Sequence, residues 1–187
     1  MQREPAFKKL IKGLGFALFG NILSGIMVIS IAPFIGVWAI SCFAFLLTLV
    51  IYLSLMFTVG FNDGRREQSL VKNHRVDEPK KSGWLLYGLV PGAVFCVPVL
   101  ILLLGIFGKA AVTGEYMFAF RFLCGAIQPL VNIGGFQGAA IAEYPLWFPL
   151  AGMGLYLIGS PLASAIGFRF GYDEDLRKNF MYENEKK

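Results

Sequence analysis

The 187-residue chain is 56% hydrophobic and 16% charged, with a mean hydropathy of +0.62 and a formal net charge of +5. Soluble domains are about 45–50% apolar and about a quarter charged, so this balance excludes an ordinary soluble domain and indicates a membrane protein. The charges cluster at segment ends and in one loop with no aromatic–basic recognition motif, which makes the basic excess a topology signal rather than a nucleic-acid footprint.

Arg3, Lys8, Lys9 and Lys12 open the chain, followed by a first apolar run over about 13–35. That run is longer than the 7–15 residues of a signal-peptide core and no small-x-small cleavage site follows, so a retained first helix is expected. A second run covers about 37–60. At about 1.5 Å per residue, ~20 apolar residues cross the ~30 Å hydrocarbon core, and each run is long enough. Pro33 and Gly36 lie between them and suit the turn of a helical hairpin, since neither continues a helix well. Asn21 is the clearest polar residue of the first run and needs a partner inside a bundle, or would line a polar path.

A charged segment from Phe61 onward reads as a loop, with Arg65, Arg66, Lys72, Arg75, Lys80 and Lys81 as a candidate surface for anionic lipid or a partner. A third run covers about 84–108 and a fourth about 146–170. Trp38, Trp84 and Trp147 fall near span ends, where Trp is enriched. Pro91, Pro98 and Pro161 interrupt the third and fourth runs and are expected to bend them. Between them, Arg121, Gly125, Gln128 and Asn132 are spaced four, three and four, one face of an amphipathic helix over about 116–132 that Pro129 would kink or end. An interfacial helix is the expectation; a re-entrant segment and a fifth span are the alternatives. Arg121, Gln128 and Asn132, with Asn21, are candidate polar lining residues. The glycines of 132–140 follow no strand and do not form a phosphate loop.

The Lys and Arg residues concentrate in the N-terminus, the middle loop and the tail, and only Lys109 and Arg121 fall in the segment between the third and fourth runs. Positive-inside then places both termini and the middle loop in the cytoplasm. Small residues align at Gly88 and Gly92 in the third run, and at Gly159, Ala163, Gly167 and Gly171 in the fourth, faces that let helix backbones approach each other or dock a partner. The three cysteines form no C-x-x-C and, with one histidine, no metal set or disulfide framework. Apart from Arg169 at the very end of the fourth, the apolar runs hold no Asp, Glu, Lys, Arg or His, so no catalytic residues, cofactor or metal site are assigned.

The middle segment GFNDGRREQSLVKNHRVDEPKKSGWLLYGLVPG, at 60–92, resembles a group of small four-helix integral membrane proteins of low-GC Gram-positive bacteria. The shared pattern maps to Gly60, Gly64, Leu70, Val71, Arg75, Asp77, Glu78, Lys81, Gly83 and Pro91. The outer FRFLCGAIQPLVN and the tail from Gly167 are similar as well, although Asp173 stands where the group has Arg. The resemblance implies a bacterial plasma-membrane protein and carries no activity. An all-α, four-span membrane bundle in a single domain is therefore expected. Its expected role is a non-catalytic subunit or accessory protein, in contact with the bilayer and with a partner or a second copy. A small transporter or channel component is the alternative.

Overall fold

The computed structural model describes residues 4–31, 34, 37–75, 83–133 and 141–173. Among these residues the chain forms six helices: α1 (Ala6–Ile31), α2 (Trp38–Lys72), α3 (Gly83–Ile106), α4 (Gly114–Leu123), α5 (Pro129–Ile133) and α6 (Trp147–Tyr172). The helices α1, α2, α3 and α6, of 26, 35, 24 and 26 residues, are each long and apolar enough to cross a membrane, and the protein is a four-span helical bundle. In hydrocarbon each backbone N–H and C=O must be satisfied within the protein, which holds even glycine-rich segments in helical form. Large apolar side chains, among them Ile26, Phe43, Leu46, Val50, Val97 and Ile158, point outward and face lipid. Pro33, Gly36, Lys80, Lys81 and residues 134–140 lie outside the described residues.

Two helices run past their apolar sequences at the end of the bundle that carries the termini. The first begins at Ala6 rather than near 13. The segment from Phe61, expected as a loop, is helix through Lys72. The reason is a buried stripe that continues through the charged sequence at helical spacing: Tyr52, Met56, Val59, Asp63, Glu67 and Leu70. The α2 helix then ends at Asn73, and His74 takes a positive φ of 51°. At the opposite end the amphipathic segment is not one helix. It breaks at Cys124, before Pro129, into α4 and a second piece bent 92° away. A 3₁₀ turn at Gly125–Ile127 and α5 make up that second piece.

Glycine sets how closely the spans approach. Across α2 and α6, Gly60 lies against the Ser164 backbone and Gly64 against that of Phe168. In return, Gly167 lies against the Phe57 carbonyl and Gly171 against that of Phe61. A methyl group at any of these four would collide with backbone, which cannot swing aside as a side chain can. The α3 helix meets α6 similarly, with Gly88 on Pro161 and Gly92 on the Tyr156 carbonyl. Where it passes α3, α6 widens into a π-helical turn, Leu155–Gly159, just before Pro161, whose missing N–H breaks the regular ladder.

Gly60→Ala should lower the unfolding temperature of the protein in detergent. Separating the two helices costs about 1–3 kcal/mol, more than alanine's helix-propensity advantage of about 1 kcal/mol. Gly15→Ala, at an open position on α1, should leave the temperature unchanged or raise it.

Candidate functional site

Asn21, deep in α1, sits at the centre of a buried hydrogen-bond network. Its Nδ2 donates to the Ala17 carbonyl at 3.0 Å, within its own helix. Its Oδ1 accepts two bonds: from the Tyr156 hydroxyl of α6 at 2.6 Å, and from the Ala126 backbone N–H at 3.2 Å. Ala126 belongs to the 3₁₀ turn that breaks the amphipathic segment. Its carbonyl accepts from the Thr48 hydroxyl of α2 at 3.0 Å. Both backbone groups of this residue are thus held by side chains of two different spans. Gly125 beside it packs directly on the Asn21 carbonyl and on Gly25, an approach that a Cβ would block. Irregular backbone at membrane depth is tolerated when buried in protein and satisfied there. Cys124, Ala126 and Ile127 are all fully buried.

The network extends toward α6. Tyr52 packs edge-on against Tyr156, with ring centroids 5.4 Å apart, and its hydroxyl is 2.8 Å from the Ser160 hydroxyl. Ser24 donates to the Thr48 carbonyl at 3.4 Å. The Tyr116 hydroxyl of α4 donates to the Pro98 carbonyl of α3, and the Cys124 thiol points to the Phe95 carbonyl at 3.9 Å. The centre is therefore filled by aromatic rings whose polar tips are spent on neighbours in the same chain.

A second cluster closes the end of the bundle that holds the termini. Lys9 of α1 donates to both carboxylate oxygens of Asp63 on α2, at 2.7 and 2.8 Å, and the two side chains are 5% and 1% exposed. Tyr87 of α3 lies beneath the Lys9 ammonium at 5.6 Å, with its hydroxyl 3.2 Å from Glu4 and 3.4 Å from Asp63. Glu4 also binds Lys12, and binds Arg66 at 2.6 Å. Glu4, Lys12, Asp63, Arg66 and Tyr87 border a cleft of about 200 Å³. Asp63 lies about 38 Å along α2 from Trp38, beyond the ~30 Å hydrocarbon core, so the cluster clamps three helices at the interface rather than at mid-membrane. Burial raises the Glu4 carboxyl, but the Lys12 bond and the charges of Arg66 and Lys12 outweigh it and hold the group below its ordinary value.

The residues singled out from sequence are distributed over several places. Asn21 is at the network centre. Gly88, Gly92, Gly167 and Gly171 make the close helix contacts within the chain. Gly159 meets the side chains of Leu155 and Leu53, and Ala163 packs against the core. The break separates the expected amphipathic face: Arg121 and Gln128 line a cleft with Gly25 and Ile29, while Asn132 is half-buried in α5. In the basic set, Arg66 joins the Glu4 cluster and Arg65 lies over the Phe61 ring at 5.9 Å. Lys72 ends α2, with Arg75 just beyond it. Sequence reasoning passed over Lys9, Thr48, Asp63, Tyr87 and Tyr156. Asp63 was detectable, because it continues the buried stripe of α2 at the expected spacing. The others are long-range pairings with no local signal. Among the described residues no three His, Cys, Asp or Glu side chains are grouped to hold a metal ion.

Replacing Asn21 with Leu should destabilise the bundle by roughly 1–3 kcal/mol for each donor left unsatisfied, Tyr156 and Ala126, measured by unfolding in detergent. Lys9→Met should cost about 3–5 kcal/mol, because it strands the Asp63 carboxylate. The double variant Lys9→Met/Asp63→Leu should recover most of that loss. Glu4 is depressed in the folded state, so its stabilisation is complete above its ordinary value of 4.5 and disappears as pH falls through the lowered value. The stability difference between wild type and Glu4→Gln should therefore be constant near neutral pH and shrink on acidification.

No protein-family model, curated protein or solved structure matches this chain, so the geometry establishes a four-span membrane protein and no family is identified.

Proposed function

We propose that the chain is a non-catalytic subunit or accessory protein of a bacterial membrane complex. It would lie in the plasma membrane with the Lys9–Asp63 end and both termini in the cytoplasm. The observation that carries this reading is the Asn21 network. The interior groups best suited to handling a solute are committed within the chain: the Tyr156 hydroxyl to the Asn21 amide, Asn21 and the Thr48 hydroxyl to the backbone of Ala126, and the Tyr52 hydroxyl to Ser160. Such a centre favours rigidity over passage. The small-residue faces support the reading less directly, since those of α2, α3 and α6 are largely filled within the chain and leave the outward apolar surfaces for lipid and a partner.

The test is the mass of the full-length protein extracted from its native membrane in mild detergent at native expression level. A stoichiometric assembly with another membrane protein or a second copy is expected; a lone monomer contradicts the proposal. A small transporter or channel component is the second reading. It is favoured by the broken helix pair packed into the bundle, because discontinuous helices build many transport sites. Solute or ion flux in proteoliposomes of the isolated chain, abolished by Asn21→Leu, would replace the first reading with the second.

A further inference from the structure

The break that brings Ala126 to Asn21 also fixes where Arg121 lies. The Arg121 carbonyl is 3.6 Å from where a Cβ on Gly25 would sit, which sets the residue level with Gly25 on α1. Gly25 is six residues before the end of α1 at Ile31, about 9 Å along the helix at 1.5 Å per residue. Arg121 is exposed there, and among the described residues no ion pair involves it. With Gln128 it lines a cleft of about 150 Å³ whose other walls are Gly25, Ile29, Phe118 and Phe122. Ile29, Phe118 and Phe122 are 62%, 65% and 43% exposed, so the cleft opens on the lipid-facing surface. A guanidinium at this depth beside hydrocarbon is costly unless it reaches an anion, and an arginine stem spans the distance to the headgroup level.

We propose that this cleft binds an anionic phospholipid from the leaflet at the end of the bundle away from the termini. The Arg121 guanidinium and the Gln128 amide donate to the phosphate, and an acyl chain lies along Ile29, Phe118 and Phe122. The net charge of the lipid follows from the lining. The cleft offers one cation and no carboxylate, so a phosphate satisfies it, whereas a choline or ethanolamine group would bring a second cation beside Arg121 with no carboxylate to neutralise it. Gly25 contributes by its size, since a side chain there would occupy the floor of the cleft between α1 and α4.

The experiment is native mass spectrometry of the full-length protein. It is equilibrated with mixed phosphatidylglycerol and phosphatidylcholine, then washed with detergent. Wild type should retain phosphatidylglycerol in preference to phosphatidylcholine. Arg121→Gln should reduce that retention about tenfold, the effect of losing one charge-assisted bond, with Arg121→Lys intermediate. Ile29→Glu, at an exposed position, puts a carboxylate into the same cleft. It should also lose the lipid, and it carries the test if Arg121→Gln does not fold. Equal retention of the two lipids by wild type overturns the proposal. So does undiminished phosphatidylglycerol on Arg121→Gln or Ile29→Glu, or loss only when Arg65, Lys72 and Arg75 at the other end are changed to Gln.

Discussion

The structure depends on the satisfaction of one stretch of non-helical backbone inside a bundle where water cannot do the job. Ala126 lies in a 3₁₀ turn, and both its N–H and its carbonyl bond to side chains, Asn21 from α1 and Thr48 from α2. Without them the turn at Gly125–Ile127 would have to leave the bundle or become helical. With them, a segment of moderate hydropathy packs against the spans and turns through 92°. Tyr156 adds the third span to the same Asn21 oxygen. One amide thereby couples the position of α6 to that of the break.

Two further constraints act on the same helices. Glycines allow α2 and α6 to approach until backbone meets backbone, which fixes their axial register as firmly as their distance. At the end that holds the termini, the Lys9–Asp63 pair and Tyr87 tie α1, α2 and α3 together. The bundle is held by polar contacts at its middle and one end and by close packing along its length. The hydrophobic effect drives insertion into lipid but contributes little to helix association once the spans are inserted.

Much of this was legible in the sequence. The four apolar runs marked the four spans to within a few residues, apart from where α1 begins and where α2 ends. Asn21 announced its need for a partner. The small residues at Gly88, Gly92, Gly167 and Gly171 marked close faces but could not say which helix each would meet. Charge density hid the helical continuation from Phe61 to Lys72, although Asp63, Glu67 and Leu70 kept the buried spacing. The break was visible only as Pro129. Its actual site at Cys124 depends on Asn21 and Thr48, which are about 100 and 80 residues away in sequence, and no local pattern encodes such pairings.

The central claim, that the segment between α3 and α6 dips into the bundle and returns to the side it came from, is tested most directly by membrane sidedness. Single cysteines at Lys109, just after α3, at Glu143, just before α6, and at His74 can be probed with a membrane-impermeant thiol reagent in intact and permeabilised cells. Lys109→Cys and Glu143→Cys should label from the same side, with His74→Cys on the opposite one. Labelling of Lys109→Cys and Glu143→Cys from opposite sides would show that the segment crosses the membrane and would contradict the account.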